Sequence, residues 1–168
     1  MTDFGFIRAA AATPVVHVAR PVLNAKEIVS LMRELAGQGV SVAVFPELSI
    51  SGYSCGDLFT HGSLVRECED ALAELLVSSA DIGMVAVVGA PVRHKGRLFD
   101  CGVVIRSGEI LGVVPKTCVS SSESRWFSSA DVLPEFPLEI TLCGQPEVMM
   151  GTGLLFELGG TTFGVEIG

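Results

Sequence analysis

Most patterns that declare a function outright are missing from this chain. Although 49% of its residues are apolar, no unbroken apolar run is long enough to span a bilayer. The N-terminus, Met1-Thr2-Asp3-Phe4, lacks the basic segment and long apolar core of a signal peptide. A soluble, cytoplasmic protein is expected. Positive charge is scarce: 11 Lys and Arg against 19 Asp and Glu give a formal charge of −8, with the acids scattered along the chain. That balance argues against nucleic acid and anionic membranes as partners. The five cysteines, Cys55, Cys68, Cys101, Cys118 and Cys143, are odd in number and contain no CxxC spacing. A disulfide framework or zinc site is therefore not expected, and most should be small apolar core residues. His17, His61 and His94 are far apart and form no ligand motif, so no metal is expected. There is no Gly-rich ATP or dinucleotide loop, no internal repeat and no linker. The 168 residues suit one domain with a proper core.

The patterns that are present alternate between strand and helix. Phe4 to Ala12 reads as a first strand, and Thr13-Pro14 and Arg20-Pro21 punctuate the loop after it. Asn24-Ala25-Lys26-Glu27 has the form of a helix capping box, followed by Ile28, Leu31, Met32 and Leu35 at helical spacing and a stop at Gly37 and Gly39. Val42 to Phe45 reads as a strand buried on both faces, ended by Pro46. After a Ser- and Gly-containing loop, Leu64, Val65, Cys68, Leu72, Leu75 and Leu76 mark a second amphipathic helix, whose Glu67, Glu69 and Asp70 should form a solvated face. Met84 to Ala90 reads as a strand ending at Pro91. Lys95-Gly96 and Ser107-Gly108 then read as tight turns joining Val92–His94, Cys101–Ile105 and Ile110–Val114 into an antiparallel run. The change from β-α-β to β-β-β predicts a mixed sheet with helices outside. Beyond Thr117 the pattern is polar and loop-like, with Arg125, Trp126 and Phe127 as an anchor. Short strands are expected at Leu138–Leu142, at Gly153–Glu157 and, buried, from Thr161 to Ile167.

Two strand ends carry charge. Glu47 follows Pro46, and Lys116 follows Pro115. An acid at the end of a buried strand, ahead of a Gly-containing loop, is placed to face a cleft, where open α/β folds put their chemistry. From the residues alone, a surface acid in a turn is an equally open reading of Glu47, and a solvated loop lysine is the default reading of Lys116. Opposite charges at two similar strand ends carry more information than either alone.

Phe45-Pro46-Glu47-Leu48 with Ser51-Gly52-Tyr53-Ser54 and Asp57-Leu58, then Val88-Gly89-Ala90-Pro91, Val114-Pro115-Lys116-Thr117 and Phe163-Gly164-Val165-Glu166-Ile167, resemble the carbon–nitrogen hydrolase (nitrilase) superfamily. Within it, the sequence is most similar to the glutamine-hydrolysing domain of glutamine-dependent NAD synthetase. The likeness runs from Phe6 to Ile167. It implies an α/β fold, a nitrilase-like α-β-β-α sandwich, of which residues 1–168 form a single N-terminal portion. It also implies a Glu-Lys-Cys catalytic set. Glu47 would be the general base and Lys116 the cation that stabilises the oxyanion. A cysteine would attack the side-chain amide of glutamine, releasing ammonia and leaving a thioester for water to cleave. Glu123 would match a second family glutamate, because Arg125-Trp126-Phe127 resembles the family residues that come just after that glutamate. The amidase part needs no cofactor; ATP and an NAD precursor belong to a synthetase part outside these residues. Glutamine is the implied small-molecule partner, and self-association into a homo-oligomer through sheet or helix faces is expected.

Three departures qualify that implication. The family continues its last motif as Val-Glu-Ile-Cys-Glu-Asp, whereas Val165-Glu166-Ile167 is followed by Gly168, so Gly168 stands at the position of the missing nucleophile. Glycine forms no thioester, and an inactive chain is expected. Cys118 is close to Lys116 in sequence but belongs to a different strand end from the one that carries the nucleophile. The stretch Cys118-Val119-Ser120-Ser121-Ser122 replaces an aromatic, Asn- and Arg-containing segment, and Asp100 stands where many relatives carry Asn. Two other readings stay open: an amidase for another small amide, and a non-catalytic nitrilase-like interaction module.

Overall fold

Two parallel crossovers start the fold. In the computed structural model, which describes residues 6–134 and 137–168, strand β1 (Ala9–Ala11) leads through helix α1 (Pro21–Gly37) to β2 (Val42–Val44), which pairs with β1 in parallel. Helix α2 (Gly62–Ser78) then carries the chain to β3 (Val85–His94), parallel to β2. Parallel neighbours need long connections, and the helices supply them. Their apolar stripes, with Ile28, Met32, Leu72 and Leu75, share one core with Val88, Val103 and Ile105 of the sheet.

From β3 onward the chain meanders. β4 (Arg97–Arg106) and β5 (Glu109–Pro115) follow through two-residue turns. Lys95 and Gly96 have φ of 46° and 79°, and Ser107 and Gly108 have 50° and 82°. Positive φ at both central residues matches the twist of antiparallel strands. β6 (Leu138–Leu142) and β7 (Gln145–Met150) complete a seven-stranded sheet in the order β1-β2-β3-β4-β5-β7-β6. On its other face lies a hairpin of β8 (Leu155–Leu158) and β9 (Thr161–Gly164), whose Phe156 packs with Val85, Val87, Val104 and Val114. The layers run helix, sheet, sheet, which is the N-terminal portion of the expected sandwich.

Several local expectations are corrected. The first strand is only Ala9–Ala11; Phe6 is exposed, and Phe4 lies outside the described residues. The expected box at Asn24 to Glu27 does not cap α1. The helix starts at Pro21, whose missing N–H and fixed φ suit a first turn. Asn24 is instead buried: it accepts from His17 N–H at 2.7 Å and donates to His17 C=O at 2.9 Å and to Ile50 C=O at 2.8 Å. β2 is not buried on both faces, since Ala43 is buried but Val44 is 48% exposed. β3 runs through Pro91, which pairs with Asp100. Gly89, two residues earlier, presents its backbone away from β4 toward Ser49 and Ile50, so the Pro91 nitrogen faces that same side and no ladder bond is lost. The polar stretch after Thr117 is not all loop, because it contains β7. The final strand ends at Gly164, and its residues are largely exposed.

Candidate active site

Glu47 is held by a loop stapled to β3. Phe45 N–H donates to Val87 C=O at 2.9 Å, and Pro46 then ends the ladder. Ile50 N–H donates to Gly89 C=O at 3.0 Å, while Gly89 N–H donates to Ser49 Oγ at 3.2 Å. The loop lies so close that a Cβ at residue 89 would overlap Pro46 O and Leu48 N and sit 2.8 Å from the Glu47 carbonyl carbon. Only glycine allows this approach.

Lys116 leaves β5 directly after Pro115, and its N–H donates to Asp100 C=O at 2.8 Å. Its side chain is 5% exposed. Nζ donates to Glu47 Oε1 at 2.6 Å and to Glu123 Oε1 at 3.0 Å. Glu123 lies in a short 3-10 turn and is itself well tied. Its Oε2 accepts from Ser120 N–H at 2.9 Å, and Oε1 also accepts from the Tyr53 hydroxyl at 3.0 Å. Trp126 and Phe127 anchor this turn against Phe59, with ring centroids 6.4 and 4.8 Å away. Trp126 Nε1 donates to Asp57 Oδ1 at 3.1 Å. The structure thus brings Glu47, Lys116 and Glu123 together.

Electrostatics derive from this arrangement. Burial alone would lower the Lys116 pKa, but its hydrogen bonds to Glu47 and Glu123 outweigh burial and hold it raised. Burial opposes ionisation of Glu123 too, yet the Ser120 N–H and the Lys116 ammonium hold its carboxyl down to about 2. Asp100 behaves oppositely. It is 2% exposed, and neither of its oxygens has a hydrogen-bond partner among the described residues. Burial, then the neighbouring Glu47 carboxylate, push it up to about 9. Oxygens of Glu47, Asp100 and Glu123 all lie within 4.8 Å of one another. Such a ring could suit a metal ion, but the Lys116 ammonium already provides the cation between Glu47 and Glu123. The sequence marked Asp100 only as a departure from relatives; its place on β4, beside the Lys116 end of β5, is set by the register of those two strands.

Beside this cluster is a cleft of about 210 Å³ lined by Glu47, Gly89, Cys101, Gly102 and Val165 to Gly168. The position of Gly168 therefore shares a wall with Glu47. Cys101 is fully buried, and burial pushes its thiol well above the usual range. Cys118 is exposed and does not line this cleft. The layered fold thus sets a carboxylate–ammonium cluster from separate strand ends beside one open cleft.

The chain belongs to the carbon-nitrogen hydrolase family, whose match covers residues 9–167. The glutamine-dependent NAD(+) synthetase of Mycobacterium tuberculosis is 39% identical over 167 residues, which is 97% of this chain and 24% of that protein. The corresponding synthetase of Mycobacterium leprae is 42% identical over 113 residues, 67% of this chain and 17% of that one. The chain thus spans about a quarter of the length of such relatives. Among solved structures, a glutamine-dependent NAD(+) synthetase from Cytophaga hutchinsonii superposes with a TM-score of 0.83 at 22% identity, over 94% of this chain and 27% of that one. An amidase from Nesterenkonia sp. AN1 gives 0.72 at 18% identity, over 94% and 55%. A structure of a mutant of the Nesterenkonia sp. AN1 amidase shows covalent addition of the acetamide moiety of fluoroacetamide at its active-site cysteine.

Proposed function

We propose that this chain is the front part of a glutaminase-type amidase domain, of the kind that supplies ammonia to a glutamine-dependent NAD synthetase. The observation that carries this reading is the Lys116 ammonium held between Glu47 and Glu123 beside a cleft that also contains position 168. In this reading the cleft receives the side-chain amide of glutamine. Lys116 faces the carbonyl oxygen and stabilises negative charge developing there. Glu47 is the base that would take a proton from a nucleophile at position 168, and Glu123 fixes the ammonium. With glycine at 168 there is no thiol to attack the amide, so the amide is bound but not cleaved.

The test is ammonia release from glutamine by the purified chain, with Glu47→Gln as control. No release above the control is expected. Sustained release that depends on Glu47 would contradict the role given to Gly168. Glycine at that position also favours a second reading, a non-catalytic module that uses the family fold for association. Side-chain amide recognition at Lys116 separates the two, because a pure association module leaves glutamine unbound.

A further inference from the structure

Three carboxyl groups crowd one ammonium at the strand ends, and they are not treated alike. Glu123 accepts from Lys116, Tyr53 and Ser120. Glu47 accepts from Lys116. Asp100, the most buried of the three, accepts from nothing among the described residues. A buried carboxylate without donors is the least tolerable state a carboxyl can adopt. A neutral carboxylic acid needs only one acceptor for its proton. Glu123 already has donors on both oxygens, whereas Glu47 has capacity left.

We propose that Asp100 is a positioning residue that works as a neutral carboxylic acid, donating its proton as a hydrogen bond to Glu47 and so fixing that carboxylate beside Lys116. The pair then holds one proton and one negative charge, as close carboxyl pairs do. The groups facing Asp100 fit this. Glu47 comes from the loop after β2, Lys116 from the end of β5 and Glu123 from its 3-10 turn, with Tyr53 behind Glu123 and the buried Cys101 next on β4. The cluster carries one positive and two negative charges instead of three. The consequence for catalysis rests on the amidase reading above; the protonation itself does not.

The test tracks aspartate and glutamate side-chain carboxyls by carbon-13 NMR across pH in the full chain. One aspartate resonance should stay in its protonated position at neutral pH and be missing from Asp100→Asn. In Glu47→Gln that resonance should titrate at lower pH, because a neighbouring negative charge is gone. The Glu47 carboxyl resonance, assigned by its loss in Glu47→Gln, should hold its position in Asp100→Asn, whose amide still donates, and shift in Asp100→Leu. The folding equilibrium constant of the wild type relative to Asp100→Asn should fall about tenfold per pH unit as pH rises above the ordinary aspartate range. All aspartates ionised at neutral pH would overturn the proposal, as would a Glu47 resonance unmoved in Asp100→Leu. Absence of any glutamine effect would count against the amidase reading alone and leave these titrations standing.

Discussion

Lys116→Met is the sharpest perturbation of the cluster. It keeps most of the buried stem and removes only the ammonium that lies 2.6 Å from Glu47 and 3.0 Å from Glu123. Two carboxylates then face each other, with the buried Asp100 within 4.8 Å and no counter-charge. Removing one partner of a buried ion pair costs roughly 3–5 kcal/mol, because the other charge is left uncompensated. Glu47 is partly open to solvent, at 26% side-chain exposure, which places this change near the lower half of that range, about 3–4 kcal/mol. Such a loss is a large fraction of the roughly 5–15 kcal/mol that stabilises a typical domain. Urea unfolding monitored by circular dichroism at pH 7 should show a midpoint lower by about 1.5–2 M if the slope is about 2 kcal/mol per M. The penalty should shrink as pH falls toward 4, because carboxylates that have lost their cation take up protons more readily. A loss below about 1 kcal/mol, or a penalty that is the same at both pH values, would refute the claim that the ammonium neutralises this cluster.

Other consequences are as concrete. Gly89→Ala should destabilise by about 3 kcal/mol or more, since its Cβ would drive into the backbone at Pro46 to Leu48 and displace Glu47; full stability in urea would contradict the close approach. Glu123, held down to about 2, contributes stability above the unfolded glutamate pKa and loses it as pH falls through its folded value. That loss should total about 3 kcal/mol between roughly pH 5 and pH 2, and Glu123→Gln should flatten this limb of the acid titration. Asn24→Leu should cost about 2–3 kcal/mol, because His17 N–H and Ile50 C=O lose their Asn24 partner while His17 C=O keeps only Arg20 N–H; an unchanged urea midpoint would refute it. Under native conditions a thiol reagent should modify exposed Cys118 far faster than buried Cys55, Cys68 or Cys101, as mass spectrometry of the labelled sites would show.

Local chemistry made parts of this fold readable. Lys95-Gly96 and Ser107-Gly108 specify their hairpins within two residues, and Pro46 and Pro115 each end a strand. The meeting of Glu47 with Lys116 was legible because each comes directly after such a proline. Features that depend on distant partners were not. Asn24 imitates a helix cap in sequence, yet its partners are 7 and 26 residues away. Pro91 reads as a strand end until the loop at Ser49 and Ile50 is seen to occupy its open side. Gln145-Pro146-Glu147 looks like loop, because in β7 it is chiefly Val148 and Met150 that are buried. Asp100 gave no sign of its burial, since that arises from pairing with Pro91 on one side and approach of Lys116 on the other.

Titration of nitrogen-15-labelled protein with glutamine tests most directly whether the cleft between Glu47 and position 168 receives a side-chain amide. Saturable shifts centred on the amides of Gly89, Lys116 and Gly168, absent with glutamate and lost in Lys116→Met, are the expected result. Spectra unchanged by glutamine, or changed equally in Lys116→Met, would contradict it.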